Sequence, residues 1–582
     1  MKHQVLIHDA VTRTWLNFCN PQLIVAVHNC TEIGSALERV ETIVEEQGMY
    51  AAGFISYEAS PAFDSALRVR ASNSFPLLWF GLYSTPGIMK LPYDPSENSY
   101  LATDWTPTVD KEEYKRAVVH IKECIARGET YQVNYTFRLR APFSCGTWPL
   151  FLHLIRTQQA EYGAYVDTGR FVICSASPEL FFRLNGRTLT TRPMKGTAPR
   201  GCTLTDDNKL AEWLYNSEKN RAENVMIVDM MRNDLGRIAL QGSVKVKSLF
   251  DIERYPTVWQ MTSTISAESE ASVNEIIRAL FPCASITGAP KPHTTGIIAD
   301  LETAPRSIYT GCIGFIAPGR KAQFNVAIRT VLVDRKLKQA EYGVGGGIVW
   351  DSSTDEEYRE CLVKARVLHG TKTEFSLIET ILWTPDENYF LLGYHLRRMC
   401  DSAKYFGMAV NIDCILGKLS ELENTFPMSP MKVRLLVSRD GSVSLESTQM
   451  NNSGQEFPVL LRLASVPVDS TNPFHYHKTT NREIYPAGGV MPGSKDILLW
   501  NERGEVTETT TANVVFQFDD ELVTPPVSSG LLPGTFRAWM IDRKEVKEKV
   551  VMLDDIKRCS AIFIINSVRK KREAFLEKVK TQ

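Results

Sequence analysis

Between Leu368 and Glu374 the sequence changes character. LHGTKTE is polar, carries a glycine, and separates two stretches that each restart their own apolar periodicity. A chain of 582 residues exceeds what one hydrophobic core can organise, since single cores stop growing at roughly 250–300 residues. The break is therefore read as a domain boundary. It predicts a first domain over 1–370 and a second over 371–582, with α and β elements mixed in both.

Local signals fill in each part. Asp110 is a fitting N-cap, Tyr114, Ala117, Val118, Ile121 and Ile125 form an apolar stripe, and Gly128 would end that helix. The stretch Ser84–Val109 before it, rich in Pro, Ser, Asp and Asn, reads as an irregular connection. Strand-like runs follow at Val133–Leu139, Phe171–Ser175 and Leu180–Leu184, then a helical stretch from near Asp206. Strands return at Cys312–Ile316 and Phe324–Val333, and a new helix spans Tyr394–Phe406.

Several function classes are disfavoured early. The formal net charge is -1, and no basic run suits nucleic acid. The opening MKHQVLIHDAVTR reaches Asp9 and Arg13 at once, unlike a signal peptide. Apolar runs such as Phe75–Tyr83 fall short of the ~18 residues a membrane span requires. The twelve cysteines show no C-x-x-C pair and no metal-ligand spacing. A soluble, cytoplasmic enzyme with reduced thiols and no membrane or nucleic-acid partner is expected.

Four segments put charge where a core would not want it. SASPELFFRL sets Glu179 at the head of an apolar strand, and RPMKGTAPR sets Lys195 in a turn between Pro193 and Gly196. NRAENVMIVDMMRNDLGRI carries Glu223, and EYGVGGGIVWDSSTDEEYRECLVKAR joins a glycine turn to a helix bearing Glu357, Glu360 and Lys364. Each has a plain structural alternative. Thr354 with Glu357 spells a capping box, Glu360 with Lys364 is an i,i+4 pair, and a lone lysine is usually solvated. Their joint occurrence carries the case.

These motifs, with YQVNYTFRL, FPCASITGAPKP, GCIGFI and FNVAIRT, closely resemble the chorismate-utilising enzymes from about Tyr57 to Leu368, and within them the aminodeoxychorismate-forming branch. The resemblance implies an α/β sandwich-type chorismate-binding domain. It assigns Mg2+ to Glu223 and Glu360, with Glu357 reaching it through water. Substrate carboxylates would fall to Thr287, Tyr309, Arg329, Lys364 and the N–H groups of Gly345, Gly346 and Gly347. Family members that add water carry a lysine where this chain has Gln132, and anthranilate-forming members carry alanine where it has Lys195. Lys195 is thus the expected nucleophile toward the ring and Glu179 the acid for the leaving hydroxyl. Ala284, Gln260 and Asn220 depart from the family text without removing a direct ligand. No glutaminase segment with a nucleophilic cysteine is evident, so ammonia is expected from a separate glutamine amidotransferase subunit.

The second part, through SLIETILW, YHLRRMCDSAKYFG, YHKTTNREIY, GEVTETTTANVVF and SSGLLPGTFR, resembles the class IV pyridoxal-phosphate enzymes. The resemblance implies a D-amino-acid aminotransferase-like α+β domain holding pyridoxal 5′-phosphate. Lys478 would attach to the cofactor, Glu508 would sit on its ring nitrogen, and Arg398 would meet the phosphate. The helix start in LLPGTFR would offer the N–H groups of Thr535 and Phe536 to the same phosphate. Joined to the first part, a lyase releasing pyruvate to give 4-aminobenzoate, the aromatic piece of folate, is expected. NSVRKKREA departs near Lys570 from the text of some relatives. The rivals are an amino-acid aminotransferase in the second part, an anthranilate-type synthase in the first, or a non-catalytic descendant. Class IV enzymes commonly pair, which allows a homodimer through the second part.

Overall fold

A computed structural model describes residues 3–71, 74–91, 104–144, 146–368, 375–450, 458–485 and 496–577. The chain forms two compact units, Met1–Pro199 with Ala211–Lys372, and Arg200–Leu210 with Thr373–Gln582. The boundary expected at 370/371 lies within 369–374, outside the described residues.

The first unit is built on two antiparallel sheets, each of ten strands among the described residues. Strand Tyr50–Ile55 illustrates how the sequence pattern layers them. Ala51 and Ile55 join a core cluster with Leu37 and Val40 of helix Ile33–Gln47, while Ala52 and Phe54 join a cluster with Val5, Ile7 and Ile173 of the other sheet. Alternate residues thus face a helix layer and the inter-sheet core, as the period of two requires. Each such large apolar side chain stabilises the fold by ~1.5–3 kcal/mol. The other sheet is covered on its outer face by helices Lys111–Ala126 and Thr147–Gln158.

Helix Lys111–Ala126 follows the sequence expectation closely. Asp110 makes a reciprocal capping box with Glu113, Tyr114, Ala117, Val118 and Ile121 are buried, and Gly128 takes φ 74. The run expected as one strand over 324–333 is two, Lys321–Val326 and Thr330–Asp334. Arg329 interrupts it with φ 50, a conformation costly for a residue with a Cβ.

The second unit pairs a four-stranded antiparallel sheet containing Leu377–Thr384 with an eight-stranded mixed sheet. Helix Leu392–Phe406 packs on the former through Met399 and Ala403. The mixed sheet includes parallel pairs, Val459–Leu463 with Asp496–Trp500 and with Lys570–Leu576. Among the described residues no helix is long and apolar enough to cross a membrane.

Candidate active sites

The first unit encloses a cavity of about 550 Å³. One wall is strand Gln339–Ile348, paired along its length with Gln132–Pro142. Gly345, Gly346 and Gly347 lie inside this strand opposite Thr136, Tyr135 and Asn134, so they form no turn, and the expected concave glycine turn is corrected. Their lack of side chains has a steric reason. A Cβ on Gly347 would come 2.3 Å from Gln132 Nε2 and 2.6 Å from Lys195 Nζ, and one on Gly345 would meet the Tyr135 carbonyl at 2.3 Å. Stripping this stretch of strand makes the room in which Lys195 and Gln132 converge.

Lys195 likewise sits in a strand, Met194–Pro199, and not in the expected turn. Its pairing with Val258–Glu268 slips between Met194 and Thr197, and Gly196 takes φ 99. Such a bulge re-aims a side chain, and here Lys195 reaches the cavity wall. Asn224 Nδ2 donates to the Lys195 carbonyl at 3.1 Å, fastening the bulge to helix Glu218–Gly236, which also presents Glu223 to the cavity. Burial lowers the pKa of Lys195 against the opposing pull of Glu223. Glu179, 2 % exposed, is pushed by burial to about 7 although Ser285 Oγ donates to it at 2.6 Å.

Helix Thr354–Ala365 supplies the opposite wall. Lys364 Nζ pairs with Glu360 at 2.9 Å and donates to the Gly345 carbonyl at 2.9 Å. Burial disfavours the charged lysine, but Glu360 together with Cys361 and Tyr309 outweighs it and the Lys364 pKa rises, while Lys364 lowers that of Glu360. The capping-box alternative for Thr354 and Glu357 fails. Ser353 is the N-cap, no side chain caps that end, and Glu357 instead accepts from Ser352 Oγ at 2.7 Å in the cavity wall. Burial raises the Glu357 pKa.

Arg329 and Tyr309 also line the cavity, Arg329 donating to Gln158 at 2.6 Å. Thr287 does not. Its hydroxyl is spent on the Cys283 carbonyl at 3.0 Å, and its own carbonyl accepts from the N–H of Asn134, which does line the wall. Sequence reasoning passed over Ser285 and Asn134, because neither is charged although both lie in quoted motifs. The amide nitrogen of Gln132 is buried without a hydrogen-bond partner among the described residues. Among those residues no three His, Cys, Asp or Glu groups are gathered closely enough to hold a metal alone. Glu223, Glu357 and Glu360 nonetheless face one cavity, and an all-carboxylate set suits a hard cation completed by other oxygens.

The second unit holds a cavity of about 380 Å³ lined by Lys478, Glu508, Arg398 and Thr535. Burial, then Arg398, lowers Lys478 to about 8, and the lysine's carbonyl is fixed by the N–H of Ile378 at 3.1 Å. Glu508 is pushed by burial to about 8, and accepts from Asn513 Nδ2 at 3.1 Å and Tyr485 at 3.4 Å. Thr535 begins helix Thr535–Asp542 behind Gly534, where any Cβ would lie 1.9 Å from Asn513 Oδ1. Phe536 is not in the wall; its ring stacks on Trp539 in a small core with Val515 and Met540. An amine, a carboxylate, a guanidinium and a bare helix start in one wall fit a phosphorylated pyridine cofactor. Not foreseen were Arg482 and Tyr485 in the same wall, or the role of Asp496. Asp496 accepts from the hydroxyls of Thr509, Thr510 and Thr511 at 2.8, 2.6 and 2.5 Å, pinning the turn that follows Glu508. No periodicity or motif marks an aspartate for that task.

Residues 2–370 match the family described as chorismate binding enzyme, and residues 376–574 match amino-transferase class IV. Aminodeoxychorismate synthase component 1 of Escherichia coli is 39 % identical over 274 residues, 47 % of this chain and 60 % of that protein. An anthranilate synthase component 1 of Haloarcula marismortui is 38 % identical over 260 residues, 44 % of this chain and 53 % of that protein. The matched part thus spans little more than half the length of these relatives. Among solved structures, anthranilate synthase component I from Streptococcus pneumoniae shares the fold at TM-score 0.54 and 22 % identity, covering 64 % of this chain and 93 % of that one.

Proposed function

The chain belongs to the chorismate binding enzyme family, and from that premise we propose that it makes 4-aminobenzoate in two steps, one in each unit. Relatives of both product types match about equally well, so overall similarity does not choose between ortho and para amination. The observation that carries the choice is the amine of Lys195, bulged into the cavity whose wall also holds Glu179.

In the first cavity the substrate is chorismate, a dicarboxylate, with Arg329 and Lys364 as its cationic contacts. Neutral Lys195 attacks ring C2 while the C4 hydroxyl leaves with a proton from Glu179. Ammonia then adds at C4 and expels the lysine amine, so chorismate and ammonia give aminodeoxychorismate and water. Burial favours both required protonation states, a neutral lysine and a protonated glutamate. Glu223 and Glu360 would hold Mg2+, with Glu357 behind a water, and the ion would neutralise substrate charge. A separate glutamine amidotransferase subunit would supply the ammonia, in keeping with the "component 1" naming of the relatives.

In the second cavity pyridoxal 5′-phosphate would supply an electron sink. Lys478 would hold the cofactor through its Nζ and, from the same atom, move the proton that release of pyruvate and aromatisation of the substrate ring require. Glu508 would orient the ring nitrogen, and Arg398 with the start of helix Thr535–Asp542 would receive the phosphate. The test is to incubate the full chain with chorismate, Mg2+, an ammonium salt and pyridoxal phosphate, then separate the products by chromatography and mass. Equal amounts of 4-aminobenzoate and pyruvate are expected. Anthranilate alone would overturn the role of Lys195, and accumulated aminodeoxychorismate would overturn that of the second unit.

A further inference from the structure

Behind the wall of the second cavity runs a chain of buried polar groups. Glu379, on strand Leu377–Thr384, accepts from Arg398 Nε at 2.9 Å through one oxygen. Its other oxygen lies 2.6 Å from His395 Nδ1. His395 and Arg398 are three residues apart in helix Leu392–Phe406 and so share a face. On its far side His395 Nε2 lies 3.3 Å from the hydroxyl of Thr535.

The protons in this chain can be assigned from donor and acceptor inventories. Arg398 and His395 together hold Glu379 ionised, pulling it down to about 2 against the opposing effect of burial. A carboxylate only accepts, so His395 carries its hydrogen on Nδ1. Burial keeps the imidazole neutral, its pKa below the ordinary value. The Nε2 lone pair is then the acceptor, and Thr535 donates its single hydroxyl proton inward. A phosphate dianion arriving at this helix start is likewise acceptor-only. One proton cannot serve both.

Resting on the reading that this cavity takes a phosphorylated pyridine, we propose that His395 is a positioning residue that takes up a proton from solution when the phosphate binds. Its Nε2–H then donates to the Thr535 oxygen, and the Thr535 hydroxyl turns to donate to the phosphate. One proton is gained for each phosphate bound, and no bond between heavy atoms changes. The charged groups facing His395 are Glu379, Arg398 and Lys478. Glu379 stabilises the imidazolium, the two cations oppose it, and the arriving dianion tips the balance.

Calorimetric titration of the full-length apo chain at pH 8, in buffers of different protonation enthalpy, reads this uptake. The probes are pyridoxine 5′-phosphate and pyridoxine, which carry no aldehyde for Lys478 to attack. At that pH a phosphate ester is mainly dianionic, its second pKa being about 6. The ester is expected to take up about one proton more than the free alcohol. His395→Asn and Thr535→Val should each abolish that difference, and Thr535→Ser should keep it. Binding of the ester without uptake, or uptake unchanged in both His395→Asn and Thr535→Val, overturns the proposal. Failure of the ester to bind overturns it too, and a visible band formed with pyridoxal phosphate would then show that the cofactor reading survives alone.

Discussion

Each unit sets a half-buried lysine and a buried glutamate in a single cavity wall, yet different neighbours tune the two pairs. Around Lys195 the wall mixes signs: Glu179, Glu223, Glu357 and Glu360 stand among Lys195, Arg329 and Lys364. Burial, seconded by Lys364, lowers that lysine, but three carboxylates resist, Glu223 most and then Glu179 and Glu360. Around Lys478 the wall carries Arg398, Lys432, Arg482 and Arg569, with Glu508 the lone carboxylate among the described residues. There burial and the cation Arg398 act in the same direction. On the proposed reading the first cavity would hand protons to and from a substrate while keeping acids for a hard cation. The second would hold an anion beside an amine already inclined to be neutral.

The two lysines should separate the two outputs, and this is the largest effect expected. Lys195→Ala should reduce ammonia-dependent amination of chorismate to background while leaving the visible band with pyridoxal phosphate intact. Lys478→Ala should abolish that band and let aminodeoxychorismate accumulate. Chromatography and absorbance on the same preparations check both. If each variant lost both outputs, the cavities would not be separate centres and the comparison would break.

A smaller loss is expected at the acid. Glu179→Gln should lower the amination rate by ~10²–10⁴-fold, the range for one general acid. Glu179 works only while protonated, so at fixed free ammonia the wild-type rate should fall as pH rises through about 7. That descending limb should be missing in the variant. Initial rates across pH decide it, and a limb that persists in Glu179→Gln would assign the titration to another group.

How much of this was legible in the sequence differs between residues for physical reasons. Asp110, Tyr114 and Gly128 were readable because capping and 3.6-residue periodicity are local. Lys195, Glu223, Glu360, Lys478 and Glu508 were readable because charge beside an apolar run is conspicuous and their motifs are long. The bulge that aims Lys195 was not, since it depends on which residues of Val258–Glu268 lie opposite. Gly345–Gly347 were mistaken for a turn for a related reason. Glycine usually marks backbone freedom, and here it marks space needed by side chains 152 and 215 positions away in Lys195 and Gln132. The side chains of Thr287 and Phe536 stay out of the cavity walls because near neighbours in the chain, the Cys283 carbonyl and the Trp539 ring, claim them, and no motif announces such local packing.

That steric account of Gly347 sharpens the comparison further. In Gly347→Ala the new methyl must displace Lys195 Nζ, Gln132 Nε2 or both. A displacement near 1 Å costs a reaction ~10²-fold, so amination should fall by about that factor. The pyridoxal-phosphate band should not change. Unchanged amination would mean that the Lys195 amine does not act from its position beside this strand.

The smallest effect concerns stability, and it ranks the two glutamates. Burial raises Glu508 to about 8 and Glu179 to about 7, whereas in the unfolded chain each titrates near its ordinary ~4.3. Between those values the folded apo chain retains a proton that the unfolded chain releases, so stability is lost as pH rises across that window. Replacing the carboxyl by an amide removes the titration and the loss with it. Glu508→Gln should therefore raise the apo melting temperature relative to wild type much more at pH 8 than at pH 5. A gain of ~1 kcal/mol corresponds to roughly 2–4 °C in a domain of about 200 residues. Glu179→Gln should show the same sign with a smaller gain, because its window closes about one pH unit earlier. Calorimetry at the two pH values tests the order. A larger gain at Glu179 would mean that the hydrogen bond from Ser285 favours its carboxylate too weakly to keep its pKa below that of Glu508.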